Sequence, residues 1–275
     1  MSPAETRIKW KIEESGRPLK EWDIQINYGI KTGFNDAFII SGQTKDELIR
    51  RDANSAELIR PVLRGRDIKR YKANFEDLWL INTHNGQRSL KLDRINVERD
   101  YPAIFEYLNQ QKFKPLIETR EDQGSHWTNL RNCAYLLDLE KPKIIYPEIT
   151  KFLPFVYDDS GYYLNNKTFF MVGTHLKYLV AFFNSTLFKS VYKTSFPDLG
   201  EDRRELRKVF FEQIKVIKPS ETLEKEFCAY VDQILARKEE NLNTAELENE
   251  LDLIFYDMYD LSKEEVTVVK SSWPL

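Results

Sequence analysis

The hydrophobic period of this chain changes at Pro219. Before it, apolar residues gather in short runs rich in aromatic and β-branched side chains, and after it they recur every three or four positions on an acidic background. Leu223, Phe227, Tyr230 and Ile234, then Leu247, Leu251, Ile254, Met258 and Leu261, each mark one face of an amphipathic helix. Asn243 with Glu246 and Ser262 with Glu265 have capping-box spacing, in which a side-chain acceptor and a carboxylate satisfy free backbone amides at a helix start. Two longer helices and a short third one are expected over 219–275. Before Pro219, residues 23–28 and 37–40 read as the two strands of a hairpin-like loop turning through Gly29 and Gly33. Further strands are expected at 78–81, 143–146, 152–157, 169–172 and 214–217. Helices are expected at 102–111 and from Thr174 onward, where Leu176, Leu179, Phe183 and Leu187 recur at helical spacing. The fold class is α+β: a mixed β-sheet domain with covering helices over 1–218, followed by an acidic C-terminal helical segment over 219–275.

At 275 residues with 41% hydrophobic side chains, a substantial core can form, burying roughly 75% of the unfolded surface. No apolar run approaches the roughly 18 residues of a membrane span, and Met1 is followed by polar residues without an apolar signal core. A cytoplasmic protein with no membrane partner is expected. Cys133 and Cys228 form no CxxC pattern and the three histidines are scattered, so no metal site is expected.

The formal net charge of −3 conceals a partition. Residues 219–275 carry 5 Lys/Arg against 14 Asp/Glu, which leaves 36 against 30 for residues 1–218. Within that larger part, Arg60, Arg64, Arg66, Lys69, Arg70 and Lys72 stand against the single Asp67 in thirteen residues. Such a run is either a solvated charged loop or a surface that follows a polyanion. Acidic helices are repelled by phosphate, so they are expected to face away from one.

Familiar catalytic chemistry is missing. No Asn-Pro pair occurs, so the Asn-Pro-Pro-aromatic segment that DNA methylation of a flipped base would need is absent. Pro197-Asp198 is followed by Glu205-Leu206-Arg207, which lacks the lysine of a Pro-Asp…Glu-x-Lys nuclease, and Asp67-Ile68-Lys69 lacks an upstream carboxylate partner. Gly29-Ile30-Lys31-Thr32 does not meet the GxxxxGK[ST] spacing of a phosphate loop. No catalytic, cofactor-binding or metal-ligating residue is therefore assigned.

What remains is a pair of polar loops. Only 10 glycines occur in the chain, and two of them frame the loop containing Lys31, Thr32, Gly33 and Asn35. Lys31 can reach a phosphate, and Thr32 and Asn35 can meet a phosphate or a base edge, while an ordinary tight turn with a polar tip explains the same composition. For Asn35 in particular, a side chain that bonds its own turn stands beside one that reads a base.

The segment Leu19-Lys20-Glu21-Trp22-Asp23 through Gly29-Ile30-Lys31-Thr32-Gly33-Phe34-Asn35-Asp36-Ala37-Phe38-Ile39-Ile40 resembles the target recognition region of type IIG restriction-modification enzymes and adenine-specific DNA methyltransferases. Leu58-Ile59-Arg60-Pro61-Val62-Leu63-Arg64-Gly65-Arg66-Asp67-Ile68-Lys69-Arg70-Tyr71 resembles that family's basic motif. Trp127, Lys143-Ile144-Ile145, the Leu179 to Asn184-Ser185 helix and the tail from Ile254 to Ser262 follow in order. The resemblance implies sequence-specific binding of double-stranded DNA, with DNA-binding residues Lys31, Thr32, Gly33, Asn35, Arg60, Arg64, Arg66, Lys69, Arg70 and Lys72. It also implies methyltransferase and nuclease domains as partners, which would carry S-adenosylmethionine and Mg while this chain carries no cofactor. If both basic motifs serve one duplex, Lys31 and the 60–72 cations should share one concave face. Two other functions fit parts of the chain: a stand-alone nuclease using Asp67 or Asp198, and a protein-interaction module whose acidic helices bind a basic partner.

Overall fold

The computed structural model of the protein describes residues 3–272. Its principal strands are β1 (Ile24–Tyr28), β2 (Ile39–Ser41), β3 (Ile59–Leu63), β4 (Leu78–Ile81), β5 (Lys143–Pro147), β6 (Val156–Asp158), β7 (Tyr163–Leu164) and β8 (Thr168–Gly173). The principal helices are α1 (Pro3–Ser15), α2 (Gly42–Arg51), α3 (Pro102–Leu108), α4 (Leu176–Asn184), α5 (Thr186–Tyr192), α6 (Glu221–Glu239), α7 (Ala245–Met258) and α8 (Lys263–Ser272). The strands form two four-stranded sheets. One is antiparallel with the order β6-β5-β8-β1, and the other has the order β7-β3-β4-β2 with β7 parallel to β3. The fold is α+β, and no helix among the described residues is long and apolar enough to cross a membrane.

The first sheet is buried on both sides because successive residues of a strand face opposite ways. Ile26, Ile144, Tyr146 and Met171 enter one core together with α1, α4 to α8 and their rings. Ile145, Phe170 and Val172 enter the other, with α2, α3 and the second sheet. The C-terminal helices therefore share a core with the sheet: Phe227, Val231 and Ile234 of α6 and Leu251 and Phe255 of α7 pack beside Tyr178 and Phe182 of α4.

Several elements differ from the sequence pattern. Residues 23–28 and 37–40 do not make a hairpin: β1 pairs with β8, β2 pairs with β4, and the short helix Asn35–Phe38 lies between them. The chain crosses between sheets at Gly29, whose N–H donates to the Thr168 carbonyl at 2.9 Å while the Ile30 N–H donates to Leu164 at 2.7 Å. A Cβ on Gly29 would stand 2.1 Å from the Asn165 oxygen, so only glycine permits this crossing. The strand expected at 152–157 begins only at Val156, because Leu153 adopts φ 46° and turns inward, leaving Phe152 outside. The strand at 214–217 shrinks to Lys215–Val216, paired with Arg17–Pro18. The helix from Thr174 divides at Ser185, whose hydroxyl accepts the Phe188 N–H at 3.0 Å and restarts the helix as α5. The Ser262–Glu265 capping box forms in both directions at α8. At α7 Asn243 instead accepts the Ala245 N–H at 2.9 Å, and the Thr244 hydroxyl donates to Glu248 rather than any box forming with Glu246.

Helix α7 is locked to α5 by Asp252, which is 4% exposed and accepts the Thr186 N–H at 2.9 Å and the Thr186 hydroxyl at 2.8 Å. Burial raises the Asp252 pKa, and those two bonds partly offset the rise. Asp252→Ala leaves the Thr186 amide buried without its acceptor. The expected loss is about 2–3 kcal/mol, read as a lower urea midpoint at unchanged m. A midpoint equal to the parent's contradicts the lock.

Candidate nucleic-acid interface

The segment 60–72 runs out of strand β3 through two tight turns of backbone, each of which fixes the direction of its cations. Arg64 closes on Asp67 with Nε to Oδ2 at 2.9 Å and Nη2 to Oδ1 at 2.8 Å, around the short 3-10 turn Gly65–Asp67. Asp67 is therefore a buried structural carboxylate that also accepts the Arg64 N–H at 2.8 Å. A Cβ on Gly65 would come within 2.9 Å of the Lys167 carbonyl oxygen, so glycine brings the 64–66 turn against the 165–167 loop. Ile68–Lys69 then pairs with Lys72–Ala73, with Arg70 and Tyr71 at the bend. Tyr71 takes φ 57°, a left-handed conformation that costs a tyrosine about 1–2 kcal/mol. Its ring is buried in the core and its N–H donates to Phe155 at 3.0 Å, which hold it there.

The six cations separate by role. Arg60 stays beside its own backbone, donating to Ile59 at 3.2 Å. Arg70 faces Glu248 of α7 at 2.5 Å, and Lys72 donates to the Lys238 carbonyl and to Asn241 Oδ1, both at 2.8 Å, at the end of α6. A lysine at a helix C-terminus meets carbonyls that lack partners in the helix. Arg66 and Lys69 are exposed and form no ion pair among the described residues.

These two, with Arg64 and Arg70, line a cleft of about 1460 Å³. Its walls are the 64–70 turns, the 147–154 and 165–167 loops, α5, the 201–202 turn and the junction of α6 with α7. Nine cations line it (Arg64, Arg66, Lys69, Arg70, Lys151, Lys167, Lys189, Lys193, Lys238) against four anions (Glu148, Glu201, Asp202, Glu248). Glu248 is turned inward to Arg70 and to Lys238 at 3.2 Å, so the acidic helices present their basic and amide junction to the cleft rather than facing wholly away. Lys151, Lys167, Lys189, Lys193 and Lys238 are missed by a reading of the chain segment by segment, because each stands in a different, unremarkable stretch and only the fold assembles them.

Lys31, Thr32, Gly33 and Asn35 do not line the cleft; the nearest link is the bridge of Ile30 to Asn165 on its wall. Thr32 is buried and its hydroxyl donates to Asn35 Oδ1 at 2.6 Å, so Asn35 serves the turn while its side chain remains exposed. Lys31 stands 5.3 Å from the centre of the Tyr28 ring. Beneath the loop, Arg120 is buried and donates to the carbonyls of Ile117, Trp127 and Asn129 at 3.0, 2.8 and 2.6 Å. Of the carboxylates considered for a nuclease, Asp67 is held by Arg64 and Asp198 faces Arg204 at 2.5 Å. No group of three or more His, Cys, Asp or Glu side chains among the described residues could hold a metal ion.

At the floor of the cleft, burial pushes the Lys189 amine down to about 7, helped by the like charge of Arg70 and opposed by Glu248 and Asp252. A lysine lowered in the folded state sheds, between about pH 7 and its ordinary 10.5, a proton that the unfolded chain retains. Stability should therefore rise with pH across that window, by at most about 1.4 kcal/mol per pH unit from this group. Lys189→Met should flatten the rise in thermal midpoint between pH 7 and 9 relative to the parent; identical slopes contradict the assignment.

Residues 60–217 match the family described as the TaqI-like C-terminal specificity domain. The type II methyltransferase M.BstVI of Geobacillus stearothermophilus is 21% identical over 267 residues, covering 94% of this chain and 44% of its own length. Among solved structures, the type IIL restriction-modification enzyme MmeI in complex with DNA is similar with TM-score 0.58 at 14% identity, over 92% of this chain and 35% of MmeI. The type IIG restriction endonuclease BpuSI is similar with TM-score 0.56 at 12% identity, over 98% of this chain and 32% of BpuSI. At those identities the likeness of the two structures is one of fold, and the chain spans less than half the length of each of these three relatives. The family match covers more than half of the chain, and the protein belongs to the TaqI-like C-terminal specificity domain family.

Proposed function

We propose that this chain is the module that recognises duplex DNA for a restriction-modification enzyme, choosing the site at which other domains methylate adenine and cut. The observation that carries it is the cleft, where basic residues outnumber acidic ones nine to four and Arg66, Lys69 and Lys151 point outward without ion-pair partners among the described residues. Duplex DNA presents one negative charge per roughly 1.7 Å of its axis, and irregularly spaced cations can follow such a backbone without reading sequence. Arg66, Lys69 and Lys151 are the phosphate contacts. Arg70 and Lys72 act indirectly, by fixing the turn against α6 and α7. S-adenosylmethionine and Mg belong to the partner methyltransferase and nuclease domains, which would close on the opposite side of the duplex.

Titration of a labelled random-sequence duplex at increasing salt tests this. Arg66→Ala, Lys69→Ala and Lys151→Ala should each weaken binding and reduce the salt slope by roughly one unit at unchanged thermal stability. Arg70→Ala should lose binding and stability together, because it leaves Glu248 without its nearest cation. No binding by the parent chain at low salt contradicts the proposal. The chain alone is expected neither to transfer a methyl group from labelled S-adenosylmethionine nor to cut duplex DNA with magnesium. Either activity overturns the placement of catalysis in other domains.

A further inference from the structure

Phe152 is 71% exposed, more than any other large hydrophobic side chain among the described residues, and it lines the cleft between Lys151 and the buried Leu153. Its backbone is pinned on both sides. Ile149–Thr150 pairs with Arg204–Glu205, and the Phe152 N–H donates to Thr150 Oγ1 at 3.0 Å. Leu153, at φ 46°, turns its side chain fully into the core. Asn184 holds the Phe155 backbone in both directions, accepting its N–H at 3.2 Å and donating to its carbonyl at 2.8 Å, and the Tyr71 N–H donates to the same carbonyl. A loop fixed this firmly holds its one outward ring in the cleft.

We infer that Phe152 is a wedge that stacks on a nucleobase at an opened step of a duplex seated in the cleft; this rests on the DNA reading of that cleft. An aromatic side chain that docks protein stands in a patch depleted of charge. Here Lys151 adjoins the ring, Ile149 at 44% exposed lies on the short strand that leads into the loop, and basic residues predominate in the surrounding wall. Rings set among cations are how proteins hold nucleic acid, since every base offers a π-face and every nucleotide a phosphate. Insertion requires a base step to unstack, and a mismatched step yields more readily than a paired one. The wedge thus predicts a preference for weakened steps that phosphate contacts alone do not give.

The test uses the full chain and two labelled random-sequence duplexes that differ by one central mismatch. The parent should bind the mismatched duplex at least about fivefold more tightly, and Phe152→Ala should reduce that ratio below about twofold. Phe152→Trp should keep the ratio, and Lys151→Ala should weaken both duplexes by the same factor. An undiminished ratio in Phe152→Ala, with its circular dichroism unchanged, overturns the wedge while leaving the DNA reading standing. Phe152→Ala binding both duplexes as the parent does overturns it as well. No binding of either duplex by the parent defeats the DNA reading and the wedge together.

Discussion

The contact between Arg70 and Glu248 is the interaction on which the rest of the site depends. It joins a strongly basic turn to the most acidic part of the chain, and it sits beside Lys238, Lys189, Thr186 and Asp252. Both side chains are half-buried, and such a pair contributes through geometry more than through net Coulomb energy, while removing one side leaves a partly desolvated charge without its partner. The consequence is positional. Helices α6 and α7 are held against the 64–72 turns, and the space between them becomes a cleft with a fixed floor. Lys72, bound to the Lys238 carbonyl in the last turn of α6 and to Asn241 Oδ1 just beyond it, adds a second point of attachment.

Neutralisation at that contact also divides the basic segment into an inner and an outer set. Arg64, Arg70 and Lys72 satisfy internal acceptors, whereas Arg66 and Lys69 alternate with them and face outward. The alternation follows from the turns themselves: the 3-10 turn of Gly65–Asp67 and the two-residue bend at Arg70 and Tyr71 reverse the chain faster than a strand or helix would. The strained φ of Tyr71 is sustained because its ring is buried and its amide is bonded.

Much of the fold was legible from apolar spacing. Strands β4, β5 and β8 and helices α6 and α7 lie where period two and period three-four place them, because their burial follows one face or a continuous run, and α8 starts at its Ser262–Glu265 capping box. Legibility failed where long-range backbone pairing decides. The segment 23–40 has the local chemistry of a hairpin, yet its two strands join different sheets through Gly29. Phe152 looks like a strand residue, and only the reversal at Leu153 puts it outside. Helices α1 and α2 bury few apolar residues, Ala4, Ile8 and Ile12 in the one and Leu48 in the other, so apolar spacing alone does not mark them. In the site, the clustered cations were visible and their roles were not. Lys151, Lys167, Lys189, Lys193 and Lys238 come from separate parts of the chain and carry no local signature.

The central claim is that the cleft between the 64–70 turns and the α6–α7 junction is where duplex DNA lies. Lysine acetylation of the full chain, with and without a duplex and read by mass spectrometry, tests it most directly. Protection by DNA should fall on Lys69, Lys151 and Lys167 in the cleft, while the exposed Lys9 and Lys141, which do not line it, react as before. Protection that spares the three cleft lysines, or that falls on all surface lysines alike, would contradict the claim.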